Sequence, residues 1–219
     1  MQKELEAESR NASISARRKI VCVAVYDALD TGHQKTKEIY DKLGGKEYVD
    51  YVNHRKTRAA GWSTFERSAK YYGDYVIPVY DREGNPAALV QVIESLQQLK
   101  KQGIRVDVVF LIDHSVRVKE AGPRHQQLGR RGIRSGDPLW KKLGRLMEED
   151  GIIVLGGCKS ALPEDRALLE EYAAHAGRRV RGTPISPHYG AEGQYDLLGR
   201  KWVQIDPQGR VTRHEKPFE

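Results

Sequence analysis

Two apolar runs of this chain end in side chains capable of covalent chemistry. His114 follows residues 106–112 (VDVVFLI) in FLIDHS, and Cys158 follows residues 152–155 (IIVL) in IVLGGCKSA. A thiolate is a strong nucleophile, and imidazole is the side chain best placed to take its proton near neutral pH. Neighbouring strands lie about 4.8 Å apart, so if these two runs pair, both side chains reach one cleft. Cys158 would then attack a carbonyl carbon, and His114 would act as base and later protonate the leaving amine. The backbone N–H groups of Ser115 and Cys158, with Gly157 beside them, would hold the oxyanion. Gly156 and Gly157 would let a substrate approach the backbone closely. Against this stands the common role of cysteine as a small buried hydrophobe. A histidine ending the preceding apolar run adds weight to the catalytic reading.

The elements that must position this pair follow from apolar patterning. Residues 19–26 (KIVCVAVY) and 74–80 (DYVIPVY) read as the first two strands, residues 106–112 and 152–155 as the third and fourth, and a fifth begins at Val180 and Arg181. Runs this apolar suit a parallel sheet covered on both faces. Pro78 lacks an N–H, which places the second strand at an edge or at a bulge. Cys22 falls mid-strand, so it is expected to be buried and unreactive. Asn85 and Pro86 predict an N-cap and a first helical turn, with Leu89, Ile93, Leu96 and Leu99 on one face and Gly103 as the stop. Asp137 and Pro138 repeat the device ahead of Leu139, Leu143, Leu146 and Met147, with Gly151 after the end. A third helix runs from Pro163 through Ala176 to Gly177. Strand and helix alternating in this way predict an α/β domain over residues 19–219, with a mostly parallel sheet and helices on both faces. Residues 198–214 read as a C-terminal hairpin turning at 206–209. Residues 1–18, polar and charged, read as a frayed helix or linker.

Composition narrows the classes. Lys and Arg total 37 against 30 acidic residues, a net charge of +7. Part of this excess sits at residues 54–58, 130–134 and 178–181. The charge allows a nucleic-acid partner, yet only Trp62, Tyr71, Tyr72 and Tyr75 interleave aromatics with basic residues, and no RNA-binding motif accompanies them. Two cysteines in a chain of 219 residues, with no apolar N-terminal stretch and no run long enough for a membrane span, point to a cytoplasmic protein with free thiols and no membrane partner.

The order of a strand-ending His, the hairpin-like insert QQLGRRGI, a helix, and an apolar run ending in Gly-Cys resembles caspase-like cysteine peptidases. Residues 114 and 158 are spaced much like the roughly 50 residues that separate the pair in caspases. The stretch ALLEEYAAHAGRRVRG also looks like the helix and strand that follow the cysteine in bacterial caspase-like and CHAT-like domains. The resemblance covers about residues 19–185. It implies a three-layer fold and a Cys-His dyad hydrolysing peptide bonds without a cofactor. Its oxyanion donors would be the amides of Ser115 and Cys158, its substrate a protein or peptide, and an activating partner or a larger parent assembly is conceivable. Such enzymes usually carry Gly after the catalytic His, where this chain has Ser115. That departure keeps an inactive relative serving as a binding or scaffold module in view. In the resembling enzymes the residue before the cleaved bond is charged, and the loop after the first strand helps shape its pocket. Asp27 and Asp30 there would favour Lys or Arg, although Asp30 or Thr31 could equally cap a helix. Arg55, Arg58 and Arg67 could instead receive an acidic residue. Trp62 and Trp202 are the aromatic candidates for the cleft.

Other chemistry is less well supported. Residues 31–36 (TGHQKT) follow the first strand as a phosphate- or nucleotide-binding loop would, but lack the second glycine of a P-loop. His33, His54, Asp113, His114 and Cys158 show no recognised ligand spacing, so no metal is expected.

Overall fold

The computed structural model describes residues 19–28, 64–80, 87–113, 115–117, 124–128, 131–189 and 192–218. In chain order the elements are β1 (Cys22–Asp27), α1 (Thr64–Tyr72), β2 (Tyr75–Val79), α2 (Ala88–Lys101), β3 (Val108–Ile112), β4 (Ser115–Arg117), β5 (Arg124–Leu128) and β6 (Arg131–Gly132). There follow α3 (Leu139–Arg145), β7 (Ile152–Leu155), a 3-10 turn (Pro163–Asp165), α4 (Arg166–Ala176), β8 (Arg179–Gly182), β9 (His188–Tyr189), β10 (Tyr195–Asp196), β11 (Trp202–Ile205) and β12 (Val211–His214).

Seven strands form one sheet in the order β12-β11-β8-β7-β3-β1-β2. From β2 to β8 all pairs are parallel, and β11 and β12 are antiparallel. The two runs expected to be neighbours, β3 and β7, pair directly, with Leu111 level with Leu155. Alternation along each strand sends side chains to opposite faces. Val23, Val25, Val109, Leu111, Ile153 and Leu155 pack with α2, α3 and α4, while Cys22, Ala24, Val108, Phe110, Ile112 and Val154 pack with Phe65 and Ala69 of α1. Helices therefore cover both faces. Burying a leucine such as Leu96 of α2 or Leu169 of α4 contributes roughly 2 kcal/mol, and both are about fully enclosed.

The expected edge position of the proline-bearing strand is observed: among the described residues, β2 is the outermost strand on its side. Just past it, the Gln91 side-chain amide accepts the Tyr80 N–H at 3.0 Å and donates to the Tyr80 carbonyl at 2.9 Å. The helix ends are partly as the sequence predicts. α2 begins at Ala88, later than the turn expected at Pro86; Asn85 and Pro86 themselves lie outside the described residues. Asp137 Oδ1 does cap α3 by accepting the Leu139 N–H at 2.9 Å. That helix stops at Arg145, short of the expected Met147, because the chain turns so that the Glu148 N–H meets the Val106 carbonyl. Gly177 ends α4 at φ 61°, a left-handed conformation that glycine adopts without Cβ strain. The C-terminal hairpin of β11 and β12 is present, its turn held by Asp206 Oδ1, which accepts from the N–H groups of Gln208 and Arg210. Among the described residues, no helix is long and apolar enough to cross a membrane.

Candidate active site

Among the described residues, the sheet supplies no partner to the chain beyond Gly156. The last sheet-like bond after β7 runs from the Gly156 N–H to the Leu111 carbonyl at 2.8 Å. A side chain at position 156 would strike the Tyr195 hydroxyl at 2.5 Å and the Phe110 ring at 2.9 Å. Interior packing thus requires this glycine, rather than the substrate approach suggested by the sequence. Tyr195 also donates its hydroxyl to the Gly156 carbonyl at 3.3 Å.

From Gly157 onward, side chains from neighbouring elements take over. The Gly157 N–H donates to Oε1 of Gln126, a fully buried β5 side chain, at 3.1 Å. The Gly157 carbonyl accepts the Thr183 hydroxyl at 2.8 Å, from just past the end of β8. Ser115 Oγ, at the start of β4, donates to the Cys158 carbonyl. Lys159 follows at φ 56°, in the left-handed region where a residue with a Cβ is strained, and its N–H donates to the Ile185 carbonyl. Ser160 Oγ then donates to the Leu155 carbonyl and accepts the Thr183 N–H, each at 2.9 Å. The result is a tight turn beyond a buried strand, presenting a half-buried cysteine at its apex. Among the described residues, no hydrogen bond engages the Cys158 N–H.

The other candidates fall in different places. His114 lies outside the described residues; its neighbours Asp113, buried, and Ser115 stand beyond the C-terminal end of β3. Ser115 and Cys158 are in direct contact through the bond just named. The Gly157 amide, expected beside the oxyanion donors, is already committed to Gln126. Asp27 is buried at the end of β1, level with Val79. Asp30, Trp62, Arg55, Arg58, the loop 31–36, His33 and His54 all lie outside the described residues, whereas Arg67 is on α1. Trp202 does not line a cleft. It is 1 % exposed, with its ring centroid 5.6 Å from that of Tyr195 and 6.2 Å from that of Phe110. The alternation of β11 turns this large apolar side chain into the core against α1's face of the sheet. Among the described residues, no group of three or more potential ligands could hold a metal.

The sequence reading overlooked Gln126, Thr183 and Ser160. The insert carrying Gln126 does form the hairpin β5–β6, joined to β4. Along β5 the neighbouring His125 turns the other way, toward the Tyr172 hydroxyl on α4, and lines an open groove of about 600 Å³ with Arg134, Ser135 and Asp137. Only the docking of this hairpin against the 156–160 turn gives Gln126 its partner. No protein-family model matches the chain, and neither a curated protein nor a solved structure shows significant similarity to it.

Proposed function

We propose that the chain is a caspase-like cysteine peptidase in which Cys158 is the nucleophile and His114 the base. The observation that carries this reading is the setting of Cys158, a half-buried thiol just past β7, beside the strand whose sequence continues into His114. Cys158 follows Leu155 by the same number of residues as His114 follows Leu111, and Leu111 and Leu155 are level in the sheet. The backbone strain at Lys159 also fits, since such strain concentrates at reactive sites.

In this mechanism His114 removes the Cys158 thiol proton, and the thiolate sulfur bonds to the scissile carbonyl carbon. The carbonyl electron pair moves onto oxygen, where the N–H groups of Cys158 and Ser115 would stabilise it. When the oxyanion collapses, the C–N bond breaks and the imidazolium returns its proton to the departing amine. Water, deprotonated by His114, then attacks the thioester carbon; the acid product leaves and the thiol is restored. Ser115, the departure from the family's usual glycine, spends its hydroxyl on the Cys158 carbonyl. Its side chain is accordingly turned toward the turn that carries the thiol.

Hydrolysis of a fluorogenic peptide library, under reducing conditions and with calcium and nucleic acid tried as activators, tests the proposal. Cys158→Ala and His114→Ala should each lower kcat/KM by about 10³-fold or more, with little further loss in the double variant. Ser115→Gly should remain active. Undiminished hydrolysis by Cys158→Ala would refute the assignment. If the natural chain cleaves nothing while Ser115→Gly does, the chain is an inactive relative.

A further inference from the structure

We propose that Gln126 and Thr183 are positioning residues that clamp the two peptide units meeting at Gly157 and so aim the thiol and amide of Cys158; the inference rests on the peptidase reading above. Neither backbone polar group of Gly157 is held by the sheet: its N–H donates to Gln126 Oε1 at 3.1 Å, and its carbonyl accepts the Thr183 hydroxyl at 2.8 Å and, within the turn, the Ser160 N–H at 3.2 Å. Gln126 comes from the hairpin on one side, and Thr183 from beyond β8 on the other. Both side chains are fully buried, so neither bond competes with water, and each is worth more than its surface counterpart. The clamp is itself braced. Thr183 donates its own N–H to Ser160 Oγ at 2.9 Å, and its carbonyl accepts the Ala161 N–H at 2.8 Å. On the far side of the hairpin, the Tyr172 hydroxyl of α4 donates to the Ile133 carbonyl at 2.6 Å, fixing the strand end that follows β6.

The geometry has a chemical consequence. With the Gly157 carbonyl tied down toward Thr183 and the Cys158 carbonyl tied to Ser115, the rotation of the intervening Cys158 backbone is set from both ends. The direction of the Cys158 Cα–Cβ bond and of its N–H follows. Releasing either end would let the thiol drift relative to a bound carbonyl. A displacement of about 1 Å at a reacting centre costs on the order of 10²-fold in rate.

Paired substitutions test the clamp. Thr183→Val removes the hydroxyl at nearly constant volume, and Thr183→Ser restores it; Gln126→Met removes the acceptor at similar volume. On the peptide that the library selects, Thr183→Val and Gln126→Met should lower kcat by about 10²-fold with KM changed little, as expected for lost alignment. Thr183→Ser should recover most of kcat. A second readout needs no substrate: the rate at which iodoacetamide alkylates Cys158 in the folded protein, read by mass spectrometry against Cys22. Thr183→Val should shift that rate several-fold, and Thr183→Ser should leave it at the parent value. If both readouts are the same for Thr183→Val and Thr183→Ser while thermal stability falls in the former, the side chains are merely structural and the clamp is refuted. If hydrolysis survives in Cys158→Ala, the peptidase reading fails, and the alkylation rates still decide whether Gln126 and Thr183 govern the turn.

Discussion

The two cysteines of the chain are held in opposite ways. Cys22 opens β1, with 1 % of its surface exposed, and its N–H donates to Asp74 Oδ2 at 3.0 Å. Burial, followed by the negative charge of Asp74, pushes its thiol well above the ordinary range. Cys158 lies past a strand end, half-buried, on a turn built from side-chain hydrogen bonds. One thiol is a packing group inside a continuous ladder, and the other sits where the ladder has stopped. For such a small side chain, the point at which the backbone leaves the sheet decides whether the sulfur can meet a reagent.

Iodoacetamide offers the sharpest test of this contrast. In native protein Cys158 should be alkylated at least about 10³-fold faster than Cys22, which reacts only through opening of the core. Faster modification of Cys22 would abolish the distinction. Stability should divide in the reverse sense. Cys22→Ser places a hydroxyl in an apolar setting and should cost about 1–3 kcal/mol in urea unfolding, whereas Cys158→Ser should change stability by less than about 0.5 kcal/mol.

Asp74 probes the Cys22 side alone. Although partial burial works against its charged form, hydrogen bonds from the Lys19 ammonium at 2.6 Å and from the Cys22 N–H hold its carboxyl below the usual value. A depressed folded pKa gives stability that is fully present above the unfolded value near 3.9 and lost as the pH falls through the folded one. Solvent screens this largely exposed pair, so Asp74→Asn should cost only roughly 0.5 kcal/mol at neutral pH, a penalty that shrinks below about pH 4. A penalty independent of pH in denaturant titrations would exclude the charged carboxylate as its source. An effect of similar size lies on the Cys158 side. Lys159→Gly relieves the Cβ strain at φ 56°, and after the entropy cost of glycine it should raise stability by about 0.5 kcal/mol. A fall in Tm would show that the Lys159 side chain contributes more than the strain costs.

The strands were legible because they are short apolar runs, and the edge position of β2 because a proline cannot serve a central strand. The C-terminal hairpin was legible from its turn residues 206–209, whereas the hairpin-like insert QQLGRRGI was expected only through the caspase-like resemblance. Alternating strand and helix predict a parallel sheet but not its strand order, so the neighbouring placement of β3 and β7 is an expectation that only the sheet itself bears out. Cys158 stood out because it is a reactive residue type directly after an apolar run. Gln126 and Thr183 could not be found in this way. Their types are ordinary, and their partners lie 31 and 26 residues away along the chain, reached only after the hairpin and β8 have docked. Trp202 misled for the complementary reason: an aromatic at the start of a short strand carries no sign of which face that strand will bury.

The outer rim of β2 has a bearing on how molecules of this protein behave at high concentration. An unpaired strand is a template onto which another chain can add, but here that rim carries Pro78, and the Tyr80 backbone beyond it is already saturated by Gln91. The opposite rim, β12, has exposed side chains at Val211, Thr212 and Arg213 and, among the described residues, no such plug. A sheet with one sealed margin and one open margin can join a twin once, open margin to open margin, and is then finished. Fibre growth requires two adhesive margins on every unit, so the glutamine and the proline together make this sheet a poor monomer for endless stacking.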